Sequence, residues 1–106
     1  MFVSECYAEN VIVLLSKKWS LTVLAHLHEK KVLRFNELIR NIGIISPKSL
    51  SQRLKELISM GIVAKQQYNE IPPRVEYSLT ESGKDLTTIF KDLEAWGKKW
   101  GKKSRT

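Results

Sequence analysis

Two short helical patterns joined by a four-residue connection, and followed at once by two strand patterns, predict a mainly α fold with a small β-hairpin, an α+β winged helix-turn-helix. The helical patterns are Phe35–Ile42 and Pro47–Met60, and the strand patterns are Ile62–Tyr68 and Val75–Leu79. Size supplies the third observation. A chain of 106 residues is one domain, so this unit, two helices before it and one after it account for the whole. Within the single 1–106 domain the expected division is N-terminal helices over 1–30, the helix-turn-helix over 35–60, the wing over 62–79 and a dimerising helix over 80–100.

Each element has its own signal. Tyr7–Leu15 is apolar-rich, and Val11, Leu14 and Leu15 share one helical stripe. Ser20 is a favoured N-cap type and precedes a second stripe, Val23, Leu24 and Leu27. Lys31–Arg34 is short enough for a minimal strand. Phe35, Leu38, Ile39 and Ile42 fall three, four and seven residues apart, which makes a short helix, and Gly43 breaks it. Ser46-Pro47 starts the next one, because serine caps well and proline at the first helical position loses no hydrogen bond. That helix should bury Leu50, Leu54, Leu57 and Ile58 and end at Gly61.

In the second strand, Val75, Tyr77 and Leu79 alternate with Glu76 and Ser78. Asn69–Arg74 joins the strands and holds Pro72-Pro73, which cannot donate to a ladder, so the hairpin opens there. Thr80 is placed to cap the last helix. Its stripe, Leu86, Ile89, Phe90, Leu93, Trp96 and Trp100, is too apolar for the outer helix of a lone small domain. These six residues are the expected interface of a two-fold homodimer, with Tyr7–Leu15 beside them.

Composition narrows the function. Hydrophobic residues make up 42%, enough for a packed core. The single cysteine, Cys6, excludes an internal disulfide framework and a CxxC zinc site. The longest apolar run is Val11–Leu15, far short of the roughly 20 residues a membrane span needs, and no signal peptide is visible. A soluble, cytoplasmic protein with no membrane partner is therefore expected. The net charge is +7, and the excess is uneven: residues 31–60 carry six positive against two negative, and residues 81–106 carry seven against four. A basic small domain suggests a polyanion as partner.

The Pro47–Met60 helix says which polyanion. Opposite its buried leucines it offers Lys48, Ser49, Ser51, Gln52, Arg53 and Lys55. Glutamine pairs bidentately with adenine and arginine with guanine, while serine and lysine reach phosphates or base edges. Double-stranded DNA is the expected partner. At the wing, Arg74 follows the two prolines, and an arginine on a stiff tip suits the narrow minor groove. It could equally pair with Glu70 or Glu76. Two other classes compete. One is a winged-helix module for protein interaction or DNA architecture, with only non-specific DNA affinity. The other is a peripheral membrane binder, which would need a free basic amphipathic helix.

Nothing points to catalysis or to a cofactor. His26 and His28 are two apart on a helix, point to different faces and cannot share a metal. No glycine-rich loop accompanies Cys6, so a nucleophilic dyad lacks its surroundings.

The chain resembles the HxlR-type winged-helix transcriptional regulators of bacteria and archaea. The resemblance rests on Lys18-Trp19, on Arg34-Phe35-Asn36-Glu37-Leu38 and on the run Ile45 to Leu57 (ISPKSLSQRLKEL). It continues over Pro72 to Gly83 (PPRVEYSLTESG) and closes with Trp96-Gly97. It implies a homodimeric DNA-binding regulator whose terminal helices form the interface. Cys6 falls thirteen residues before Trp19, where several members carry a cysteine that senses thiol-reactive compounds, which makes Cys6 a candidate redox sensor. The sequence departs from the family pattern here. Cys6-Tyr7 replaces Cys-Pro, and Ser16-Lys17 replaces the usual glycines. Glu5 and Glu9 disfavour a thiolate, whereas a helix start favours one. The operator, the sign of regulation and any small-molecule effector are not readable from the sequence.

Overall fold

The structure, a computed structural model, describes residues 7–102. Its elements are α1 (Tyr7–Leu15), α2 (Ser20–Lys30), β1 (Val32–Arg34), α3 (Phe35–Ile42), α4 (Pro47–Ser59), β2 (Val63–Tyr68), β3 (Arg74–Leu79) and α5 (Glu81–Trp100). The winged helix-turn-helix is present, with boundaries one residue off at three places. Met60 is the C-cap of α4 rather than its last turn. Ile62 lies outside the ladder, and its carbonyl accepts from Thr80 N at 3.0 Å. Arg74 is the first residue of β3.

The wing is more than a hairpin. The minimal strand at Lys31–Arg34 forms as β1 and pairs antiparallel with β3, Val32 opposite Ser78 and Arg34 opposite Glu76, giving the sheet order β1-β3-β2. A two-stranded hairpin alone is marginal in water, and the third strand ties the wing to the start of α3.

Alternate faces explain the core. Leu24 and Leu27 of α2, Leu38 of α3 and Leu50, Leu54 and Leu57 of α4 converge, with β2 contributing Val63 and β3 Tyr77. All are buried, and burial pushes the Tyr77 phenol up from its ordinary pKa. Ile58 packs against this core half-buried.

The start of α2 departs from expectation. Its N-cap is Trp19, in the left-handed region at φ 82°. Ser20 is the first helical residue instead, and its buried hydroxyl donates to the Leu14 carbonyl at 2.8 Å. That bond adds to the one the Leu14 carbonyl already accepts from Lys17 N at 3.1 Å, and the two fix the α1–α2 corner.

Thr80 caps α5 as expected, its hydroxyl accepting from Gly83 N at 3.1 Å. A Cβ on Gly83 would collide with the Ile62 carbonyl, so this glycine lets the first turn of α5 lie directly on the chain entering β2. The apolar stripe of α5 then divides. Leu86 and Phe90, two of the six expected interface residues, are half-buried against their own core. Ile89, Leu93, Trp96 and Trp100 point outward, the two tryptophans 62% and 67% exposed.

Candidate nucleic-acid interface

The α3–α4 turn is set by backbone chemistry. Gly43 takes the left-handed conformation, φ 89°, that ends α3. Ser46 is extended and its hydroxyl accepts from Ser49 N at 3.0 Å, with Pro47 next at the first helical position. The turn presents α4 with its N-terminus and one long side free.

Helical phase decides what that side carries. At about 100° per residue, Lys48, Gln52 and Lys55 lie opposite Leu50, Leu54 and Leu57, with Ser51 nearer the edge. All four are exposed. Ser49 is half-buried. Arg53 is the residue whose placement the sequence reading missed. It lies only about 60° from Leu50 around the helix, on the shoulder of the buried face. Its side chain is 17% exposed and is paired with Glu56.

Glu56, the one acidic residue of α4, stands near its far end and gathers its neighbours. Its Oε2 accepts from Gln52 Nε2 at 3.0 Å, from Lys17 Nζ at 3.1 Å and from Arg53 Nη2 at 3.4 Å. The Gln52 amide above all, helped by Lys17 and Arg53, holds the Glu56 carboxyl below its ordinary pKa, against a smaller opposing push from burial. Its spacing to Gln52 and Arg53, four and three residues, was a readable signal. Lys17, 39 residues away, was not. A cleft of about 260 Å³ opens between this surface and the start of α2, lined by Lys18, Trp19, Lys48, Ser49, Gln52 and Arg53. Lys18 sits over the Trp19 ring, 5.2 Å from its centroid.

The wing also differs from expectation. Arg74 does not project from the tip. It folds back onto Glu70 at 3.2 Å and Glu76 at 3.5 Å, with its guanidinium 4.0 Å from the centroid of the Tyr68 ring. The pairing with Glu70 and Glu76, left open in the sequence, is what the unbound chain adopts. The tip itself carries Ile71, fully exposed at 101%, and the two prolines.

A second, apolar surface lies across the molecule. Ile12 and Leu15 of α1, Leu21 and Ala25 of α2, and Phe90 and Leu93 of α5 line an open groove of about 780 Å³. Cys6, the candidate redox sensor, lies outside the described residues. Among the described residues no three histidine, cysteine or acidic groups gather as metal ligands, and His26 Nδ1 is 2.9 Å from the Thr22 carbonyl of its own helix. No helix among them is long and apolar enough to cross a membrane.

Comparison with known proteins accords with this architecture. A family described as HxlR-like helix-turn-helix matches residues 14–105. A helix-turn-helix-type transcriptional regulator of Halalkalibacterium halodurans is 43% identical over 86 residues, covering 81% of this chain and 76% of that protein. Among solved structures, the reduced form of the transcriptional regulator YodB from B. subtilis superposes with a TM-score of 0.82 at 35% identity, covering 94% of this chain and 95% of that one. The redox regulator HypR in its oxidised form gives a TM-score of 0.77 at 35% identity, covering 89% and 96%.

Proposed function

The chain belongs to the HxlR-like helix-turn-helix family and is a transcriptional regulator of helix-turn-helix type, and from that premise we propose that it binds double-stranded DNA sequence-specifically as a homodimer. The observation that carries this reading is the outward face of α4, where Lys48, Ser51, Gln52 and Lys55 are exposed and the one acid, Glu56, sits at the edge bonded to Gln52. That face fits a major groove, Gln52 toward a base edge and Lys48 and Lys55 toward phosphates. Ser49 and Arg53 border it, and Arg53 joins the reading group by leaving Glu56. Arg74, at the tip end of the wing where β3 begins, reaches a flanking phosphate or the minor groove by leaving Glu70 and Glu76.

The dimer follows from α5. Leu93, Trp96 and Trp100 present large apolar groups that the described residues of their own chain leave exposed, with Ile89 beside them. The groove between α1, α2 and α5 gives a second copy a complementary seat, and two-fold pairing of this kind closes on itself. Two recognition helices would then meet two half-sites about one helical turn apart.

Cys6 is the proposed trigger. YodB is a relative whose structure is described as a reduced form, and HypR is described as a redox regulator. With one thiol per chain, any disulfide must be a mixed one with a small thiol or a bridge to a second chain. Either would act just ahead of α1.

Selection from a randomised duplex pool tests the central reading. An enriched inverted repeat that binds well above a scrambled duplex is expected. Equal binding to every duplex would favour the architectural module instead. Sedimentation equilibrium should give about twice 12.2 kDa. Diamide should weaken operator binding by the native chain and leave Cys6→Ser unaffected, and equal resistance of both would remove the sensor role.

A further inference from the structure

Three donors from two parts of the chain converge on one carboxylate at the edge of the reading face. Gln52 and Arg53 come from α4 itself, and Lys17 comes from the α1–α2 corner. We propose that Glu56 is a specificity-determining positioning residue, which holds Gln52, Arg53 and Lys17 off the DNA backbone until a duplex offers base-edge partners in exchange. This rests on the sequence-specific reading above.

The quality of the contacts is what makes the clamp releasable. Arg53 Nε and Glu56 Oε1 are 3.2 Å apart and both are shielded from solvent, yet neither has a hydrogen-bond partner. The pair is held by charge without alignment. The remaining Arg53 contact, Nη2 to Oε2 at 3.4 Å, is long for a charge-assisted bond. A guanine edge or a phosphate would give the same guanidinium two aligned acceptors. Arg53 is therefore poised to exchange.

The carboxylate decides which exchange is worthwhile. When Arg53 swings out to a phosphate, Glu56 faces the polyanion having lost an adjacent cation, whereas an Arg53 turned to a base edge in the groove stays beside Glu56 and screens it, so the repulsion is larger on a duplex that offers no base-edge partner. On a matching site Gln52 and Arg53 both gain base-edge partners and offset it. On other sequences Arg53 gains a phosphate while Gln52 gains nothing in return, so the penalty stands. This is discrimination by a built-in repulsion against the wrong partner. Lys17 extends the clamp to the α1–α2 corner, where the Ser20–Leu14 bond fixes its position.

The test compares native protein, Glu56→Ala and Glu56→Gln on a selected operator and on a scrambled duplex, by anisotropy at several salt concentrations. Removing the negative charge should tighten binding to the scrambled duplex about ten-fold and steepen its salt slope by about one unit for each freed cation that takes a phosphate. Operator affinity should change less than about three-fold, so the ratio falls. Glu56→Gln keeps an acceptor for Gln52 and the same shape, so it carries the test if Glu56→Ala fails to fold. If both duplexes weaken together with unchanged slopes, Glu56 is merely structural. If the native protein prefers its operator and Glu56→Gln keeps the same ratio, the Glu56 role alone is overturned. If the native protein has no preference, the sequence-specific reading falls and takes this one with it.

Discussion

Helix α4 and the distal half of α5 carry the same pattern and meet opposite surroundings. Both place large apolar groups at three- and four-residue steps. In α4, Leu50, Leu54 and Leu57 disappear under α2 and β2, and the polar side is what remains for a partner. In α5, the same spacing runs past the point where the described residues have anything left to pack against it. Leu93, Trp96 and Trp100 stay in the open. An apolar stripe therefore states that a helix has a covered face, and only the rest of the fold states who covers it. For α4 the cover is intramolecular. For α5 we assign it to a second copy.

Truncating one leucine in each stripe should separate these cases. Leu54→Ala leaves a cavity in a filled core and should lower unfolding free energy by about 2–5 kcal/mol. Leu93→Ala removes the same atoms from an open surface. At concentrations where the chain is monomeric it should shift stability by less than about 0.5 kcal/mol. Urea melts at matched dilution measure both. A large loss from Leu93→Ala in the monomer would mean that α5 folds back on its own chain in solution.

The converse substitution asks who covers α5. Leu93→Glu places a charge twice in a two-fold seam, once per chain, where burial leaves it unpaired. The dimer dissociation constant should rise by about 100-fold, near 2.8 kcal/mol, while the monomer melt stays unchanged. Sedimentation equilibrium reads the first and circular dichroism the second. Operator binding should fall with dimerisation, since two half-sites then need two separate binding events.

The legible part of this molecule is what local chemistry determines. Ser46-Pro47, Gly43 and Thr80 act through their own backbone neighbourhoods, and each performs the role its residue type suggests. The HxlR-type resemblance and the winged helix-turn-helix were readable for the same reason, in contiguous runs. What escaped reading depends on contacts across the chain. Trp19 takes the cap position while the Ser20 hydroxyl turns back to the Leu14 carbonyl of α1, a contact six residues away. Gly83 is required because a carbonyl from the β2 entry lies against it. Arg53 was put on the free face although helical phase placed it at the shoulder, an avoidable error of counting. For Arg74 the sequence leaves a groove contact and a pairing with Glu70 or Glu76 both open, because Tyr68 and both glutamates reach it only once the hairpin closes.

The polar side of α4 should give smaller effects than Leu54→Ala and should divide by mechanism. Gln52→Ala removes a base contact and should cost about 1–3 kcal/mol of operator preference, with the salt slope nearly unchanged. Lys48→Ala removes a phosphate contact and should flatten the slope by about one unit on all duplexes while keeping the preference. Anisotropy titrations on operator and scrambled DNA measure both. Intact preference in Gln52→Ala would move the reading face elsewhere on the molecule.

The smallest expected effect separates the two helices by pH. The carboxyl of Glu56 is held below its ordinary value of 4.5, first by the Gln52 amide and then by Lys17 and Arg53. A depressed carboxylate contributes stability that is present above the unfolded value and lost as pH falls from there through the folded one. The stability gap between native protein and Glu56→Gln should therefore be steady above about pH 5 and close as pH falls below 4.5. Subtracting the two curves cancels the other carboxylates, which titrate in both proteins. Leu93 has nothing to ionise, so the gap between native protein and Leu93→Ala should stay flat over the same window. Urea midpoints from pH 3 to pH 7, about half a unit apart, make the comparison. A Glu56 gap that does not change with pH would mean that the unfolded chain holds this carboxylate as firmly as the folded one. The clamp on α4 would then be a feature of local sequence, Gln52 and Arg53 one turn away, with Lys17 and the α1–α2 corner contributing nothing.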